Sequence, residues 1–138
     1  MFVAPMPIGP FLIEETGHLT LRMPEPAPGF AFSWRGTGFT VKLTEGTLLL
    51  RAQAGRVPST AEGKSRREDA LVLLRAVPAI LPAGLRLRLL PDHRIQIETE
   101  DSLSWPTTAS GMLTPIVAMM MRLAPVLDLF EEAGLHIR

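Results

Sequence analysis

The segment Phe30–Ala54, FAFSWRGTGFTVKLTEGTLLLRAQA, decides the fold. Apolar and polar residues alternate along it in three runs, which are separated by Gly36-Thr37 and by Glu45-Gly46. Alternation with a period of two predicts strands with one buried face, and short glycine-bearing connections predict tight hairpins. The segment therefore predicts a three-stranded antiparallel meander with one apolar face.

The two loops also predict which residues stand opposite one another. A two-residue loop at Gly36-Thr37 sets Trp34 opposite Phe39, Phe32 opposite Val41 and Phe30 opposite Leu43. A two-residue loop at Glu45-Gly46 sets Leu43 opposite Leu48, Val41 opposite Leu50 and Phe39 opposite Ala52. All of these side chains fall on one face, and a slip of one residue would move one strand's apolar set into water.

The residues before the meander predict a less regular region. Met1–Pro10 has three prolines and is expected to be an irregular arm. Phe11–Ile13 and Leu19–Met23 are expected to form one bent strand or a small hairpin at the edge of the meander. The proline-rich stretch Pro24–Gly29 then predicts an extended loop, because each proline biases the preceding residue away from the helical region.

The residues after the meander predict a helix, a hairpin and a second helix. Ser65 and Glu68 have the spacing of a capping box, and Pro78 is expected to kink or end the helix that they begin. The apolar stripe of this helix comprises Ala70, Leu71, Leu74, Val77 and Leu81. A hairpin follows over 85–99, with Leu87 opposite Ile97, Leu89 opposite Ile95 and Arg86 opposite Glu98.

The last helix is expected from about Gly111 to Ala133, with Ser110 as its N-cap and Gly134 as its end. The predicted class is α+β, in which an antiparallel sheet made of the meander and the hairpin packs against two helices. Residues 1–138 are expected to form a single domain, since the chain shows no repeat and no internal linker.

Composition restricts the kind of function. The formal net charge is +0, which argues against binding nucleic acid or an anionic membrane by charge alone. The chain has no cysteine, so disulfides and thiolate metal sites are excluded. Met1–Pro10 lacks the basic start and apolar run of a secretory signal, and we expect a cytoplasmic protein.

No motif predicts catalysis. His18, His93 and His136 have no second ligand at metal-binding spacing, and the carboxylates of Glu14-Glu15 and of Glu98–Asp101 lie beside turns and strand ends. The glycines around Thr37 join strand to strand, whereas a phosphate-binding loop joins strand to helix. We therefore predict no catalytic, cofactor-binding or metal-binding residue and no enzymatic activity, with a small enzyme lacking a recognisable motif as the less favoured alternative.

The last helix predicts association, because it is apolar on nearly every side. One stripe should cover the sheet, and the opposite side is expected to meet a second copy or a bound protein segment; the alternative is that the arm, with Met1, Phe2, Val3, Met6 and Ile8, folds back over it. The candidate protein-binding residues are Met112, Ile116, Met119, Met120, Met121 and Leu123. Pro115, Arg122, Pro125 and Asp128 interrupt the helix, so we predict no membrane span.

The order of elements resembles the type III secretion chaperone-like fold, which includes the class I secretion chaperones and the family of bacterial sensory-transduction regulators. The resemblance runs from Phe30 to Gly134: a meander ending in LLLRAQAGRVP at Leu48–Pro58 leads into a helix, and a hairpin and an amphipathic helix follow. It implies a cytoplasmic bacterial homodimer that binds an extended segment of a partner such as a secreted effector. A regulatory or structural oligomer of the same fold is the alternative.

Overall fold

The computed structural model describes residues 6–22, 27–44 and 46–135. The strands are β1 (Met6–Ile8), β2 (Phe11–Ile13), β3 (Leu19–Leu21), β4 (Gly29–Trp34), β5 (Thr37–Thr44), β6 (Thr47–Arg56), β7 (Arg86–Leu89) and β8 (Arg94–Ser102). The helices are α1 (Lys64–Ala76) and α2 (Ala109–Glu132), and short 3-10 turns span Thr60–Glu62 and Val77–Ala79. Two antiparallel sheets and two helices confirm the predicted α+β class.

The main sheet has the strand order β4-β5-β6-β8-β7. It thus consists of the predicted meander extended by the predicted hairpin. The register of the second and third hairpins is confirmed, with Val41 opposite Leu50 and Leu87 opposite Ile97. Arg86 stands opposite Glu98 as predicted, and their side chains form an ion pair of 3.5 Å.

The predicted register of the first hairpin is wrong by two residues. Phe32 stands opposite Phe39, and Trp34 stands opposite Thr37, so the loop is Arg35-Gly36. Both loop residues have positive φ, 55° for Arg35 and 75° for Gly36. A turn with two positive φ angles matches the twist of a hairpin, and glycine suits its second position. A change of two residues keeps every side chain on its predicted face.

The N-terminal strands form a separate sheet of order β1-β2-β3, which corrects two expectations. Part of the expected irregular arm is β1, and the hairpin of β2 and β3 does not extend the meander. The small sheet instead forms backbone hydrogen bonds with residues at the start of α2. The Leu19 N–H donates to the Thr107 carbonyl at 2.9 Å, and the Ala109 N–H donates to the Gly17 carbonyl at 2.8 Å. The small sheet therefore joins the main body at the start of α2. Met1, Phe2, Val3, Met23, Glu45 and His136 lie outside the described residues.

Both predicted helix caps are displaced by neighbouring residues. The residue before α1 is Gly63, and no side chain caps this helix. In place of the predicted pair Ser65 and Glu68, the Glu62 carboxylate accepts the Ser59 N–H at 2.7 Å. α2 is capped by Thr108, whose side-chain oxygen accepts the Gly111 N–H at 3.0 Å. Thr108 has the extended backbone (φ −101°, ψ 167°) that an N-cap requires, whereas Ser110 is already helical. The expected helix ends near Pro78 and Gly134 are confirmed.

The core lies between one face of the main sheet and the two helices. The predicted stripe of α1 packs inward, with Ala70 and Leu74 buried. The stripe of α2 is fully enclosed at Met112, Ile116, Met119, Leu123, Val126, Leu127 and Phe130. They meet buried sheet residues such as Val41, Leu48, Leu50, Ile95 and Ile97. Within the part of the chain that the structure describes, no helix covers the opposite face of the main sheet, whose side chains are mostly polar.

Candidate protein-binding surface on the last helix

The structure divides the predicted binding residues between the core and the surface. Met112, Ile116, Met119 and Leu123 are at most 2% exposed, so a partner of the folded chain does not reach them. Met120 is half-buried, and Met121 is 62% exposed. A binding surface on α2 must therefore be built around Met121 and its neighbours on the outward side, because the other four stabilise the core.

The outward side of α2 carries an apolar stripe, of which the sequence-based set of candidates contained only Met121. Leu113, Val117 and Met121 are 36%, 52% and 62% exposed. They are spaced by four residues, so their side chains lie on one side of the helix. We call these three residues the α2 stripe. The signal in the sequence was the apolar spacing itself, which occurs on both sides of the helix.

The charged residues of α2 lie in its C-terminal half, and several of them contact other parts of the chain. Arg35 in the first hairpin loop pairs with Asp128 and lies 3.7 Å from Glu131. The Arg122 guanidinium donates to the Ala83 carbonyl at 3.1 Å. These contacts join the helix to the first hairpin loop and to the segment before β7, while the α2 stripe, nearer the N-terminal end of the helix, stays exposed.

α2 is also long and apolar enough to cross a membrane by length and composition. The core helix of a soluble protein passes the same test. Here the seven inner-stripe residues of α2 named above are buried against the rest of the chain. The absence of a membrane span stays a prediction.

The histidines and carboxylates singled out in the sequence do not converge. His18 Nδ1 lies 3.0 Å from Thr16 Oγ1, and His93 is exposed in the turn between β7 and β8. Within residues 6–22, 27–44 and 46–135, no group of three or more His, Asp or Glu side chains could hold a metal ion. Glu14 accepts a hydrogen bond from Thr20 at 2.9 Å.

Glu98 is the exception among the carboxylates, because it is buried. Its side chain is 9% exposed and lies 3.3 Å from Arg51, 3.5 Å from Arg86 and 3.9 Å from Arg88. The partner Arg86 was predicted from the register, whereas the burial and the two further arginines were not. They follow from the position of β8 between β6 and β7, which the sequence did not show.

Comparison of the chain with protein-family models, with curated proteins and with solved structures found no match.

Proposed function

We propose that the protein is a non-enzymatic protein-binding module of the cytoplasm, which associates as a homodimer through the α2 stripe. The observation that carries this proposal is the exposed apolar row of Leu113, Val117 and Met121 on a helix whose other side fills the core. Exposed apolar side chains in a contiguous row are typical of a surface that a partner covers.

The arrangement of α2 fits a second copy of the same helix. Val117 lies midway between Leu113 and Met121. A two-fold axis through Val117 brings Leu113 of one helix onto Met121 of the other, and this flanking contact is made twice. This is the self-complementary pattern that two-fold interfaces require.

Charge favours the antiparallel pairing. Asp128, Glu131 and Glu132 all lie at the C-terminal end of α2. In a parallel pair these carboxylates would meet their own copies, and close like charges are destabilising. In an antiparallel pair centred on Val117, the acidic ends extend past the contact in opposite directions.

The alternative covering of α2 by the N-terminal arm finds no support in the part of the arm that is described. Met6 and Ile8 pair with β2 in the small sheet, and Met6 is itself 65% exposed. They leave the α2 stripe uncovered. The further role, binding an extended segment of a secreted-effector type of protein, rests on the resemblance in element order and on the same surface chemistry.

Sedimentation equilibrium over a micromolar concentration series tests the dimer. We expect the wild-type chain to sediment as a dimer and Met121→Glu to sediment as a folded monomer. Val72→Glu is the matched control, because Val72 is also 62% exposed but lies on α1. A dimeric Val72→Glu supports the proposal, and a wild-type monomer or a dimeric Met121→Glu would refute it.

A further inference from the structure

The face of the main sheet that no helix covers has an ordered pattern of side chains, and we call it the open face. One row across its five strands reads Ala31, Thr40, Arg51, Glu98 and Arg86. The next row reads Ser33, Gly38, Gln53, Gln96 and Arg88. A third, partial row contains Lys42, Leu49 and Glu100. In the first two rows, small side chains lie on β4 and β5, and long polar ones lie on β6, β8 and β7.

This difference in side-chain size makes a depression of about 620 Å³. Ser33, Gly38 and Thr40 lie on its shallow side, and Arg51 and Gln53 rise beside them. A side-chain carbon placed on Gly38 would meet no atom within 4 Å, so the space above this glycine is open. The depression can therefore accept a chain laid on the sheet.

The open face carries more positive than negative charge, although the whole chain has a formal net charge of +0. Arg51, Arg86 and Arg88 share the carboxylate of Glu98. Among the residues that the structure describes, only Arg86 of these three has a second acidic partner, Glu100 at 3.1 Å. Lys42 is exposed and has no ion-pair partner among the residues that the structure describes. Four cations thus face two carboxylates on this part of the sheet.

Arg94 does not add to this excess. Its guanidinium pairs with Asp92, and its Nε lies 3.2 Å from the Gln53 side-chain oxygen in the amide orientation that satisfies both atoms of Gln53. The positive excess therefore comes from Lys42, Arg51 and the two arginines of β7.

We propose that the open face binds an acidic, extended polypeptide segment of a partner protein. This inference rests on the proposed role as a protein-binding module, but it uses a surface other than the α2 stripe. Carboxylates of the segment would meet the unbalanced cations in charge-assisted hydrogen bonds. The neighbouring amides of Gln53 and Gln96 offer donors and acceptors of the kind that peptide groups need.

The spacing of the cations fits an extended chain. Lys42 lies on β5 and Arg88 on β7, which are three strand positions apart in the sheet. They are also four residues apart along the strands, because Lys42 is in register with Glu100 and Arg88 with Gln96. At about 4.8 Å per strand and about 3.4 Å per residue the diagonal is about 20 Å, which corresponds to about six residues of extended polypeptide. Acidic residues about six positions apart in the partner segment would therefore reach both cations.

A nucleic acid fits this surface less well. Single-stranded nucleic acids bind sheets through aromatic side chains on which bases stack. The Phe32 and Phe39 rings stack on each other, 5.1 Å apart, on the face that the helices cover.

Fluorescence anisotropy with a labelled decaglutamate peptide tests the proposal on the full chain. We expect saturable binding that weakens at high salt, and a Kd raised about tenfold or more in the double variant Arg51→Gln, Arg88→Gln. Lys42→Gln should raise the Kd by about threefold. This variant should fold like the wild-type chain, because it removes no ion pair of the described structure. Arg75→Gln is the control, because Arg75 is exposed on α1, and its Kd should match that of the wild-type chain.

Three results would overturn the inference. The first is that the wild-type chain does not bind the peptide, and the second is that Arg75→Gln weakens binding as much as the double variant does. The third is that inorganic phosphate or oligouridylate displaces the peptide at concentrations no higher than those of unlabelled decaglutamate. Met121→Glu separates this inference from the dimer, since it removes only the α2 stripe. If the chain dimerises but does not bind decaglutamate, only the proposed binding at the open face is contradicted. If a monomeric chain binds decaglutamate, only the proposed dimer is contradicted.

Discussion

Phe32 and Phe39 stack across the first hairpin with ring centroids 5.1 Å apart and ring planes within 3° of parallel. Phe39 is 1% exposed, whereas Phe32 lies nearer the sheet edge and is half-buried. The pair joins the edge strand β4 to the centre of the core, because Phe39 also stands opposite Ala52 of β6. Stacked aromatic pairs add about 0.5–1.5 kcal/mol beyond the area that they bury.

Phe39→Ala should lower the free energy of unfolding by about 3–5 kcal/mol, because it removes a fully buried ring and leaves a cavity. Thr40→Ala, at the next position on the exposed face, should change it by less than about 0.5 kcal/mol. Urea titrations of both variants measure the difference. Similar small losses in the two variants would contradict the register of β5.

Glu98→Gln should destabilise the chain by about 1–2 kcal/mol, because three arginines lose the carboxylate that they share and repel one another. The loss should shrink in about 1 M salt, where repulsion between exposed charges is screened. Glu100→Gln is the control, because the Glu100 side chain is 50% exposed and should cost far less. Denaturant titrations at two salt concentrations check both statements; a loss that does not depend on salt would show that packing, and not charge, explains the effect.

Glu62 should make stability depend on pH. The hydrogen bond from Arg56, followed by that from the Ser59 backbone, lowers the pKa of Glu62 below its ordinary value of 4.5. A carboxyl with a lowered folded-state pKa stabilises the fold above the unfolded-state pKa, and this contribution is lost as the pH falls through the folded-state pKa. Glu62→Gln should thus be less stable than the wild-type chain at pH 7 and equally stable at about pH 2. A difference that persists unchanged in acid would rule out titration of Glu62 as its cause.

The main sheet could be predicted because its pattern is redundant. The residues of β5 alternate between buried and exposed along the whole strand, and the third hairpin has its predicted register. The loop of the first hairpin could not be placed from the pattern. Moving it from Gly36-Thr37 to Arg35-Gly36 changes the pairing by two residues and leaves every apolar side chain on the same face.

The caps and the small sheet were less predictable for physical reasons. Thr107, Thr108 and Ser110 all offer a hydroxyl near the start of α2, and only the extended backbone of Thr108 distinguishes it. The strands of the small sheet are three residues long, too short to show alternation, and their partners lie as far away as Thr107.

The candidate surface was predicted only in part. An apolar spacing of three and four residues occurs on both sides of α2, so the sequence predicts two apolar sides. Packing against the sheet takes Met112, Ile116, Met119 and Leu123 into the core and leaves Leu113, Val117 and Met121 outside. The excess charge of the open face was hidden as well, because it arises from arginines on β6 and β7 that meet only through β8.

Oxidative cross-linking at Val117 tests the two-fold contact of α2 most directly. The chain has no cysteine, so a single introduced thiol reports one position. A two-fold axis through Val117 places the two copies of this residue side by side, within the distance that a disulfide spans. The control is Leu113→Cys, which should meet residue 121 of the other copy and cross-link only when it is mixed with Met121→Cys. We predict a covalent dimer for Val117→Cys alone; a Val117→Cys chain that stays monomeric under oxidation, or a Leu113→Cys chain that links efficiently to itself, would contradict the proposed dimer.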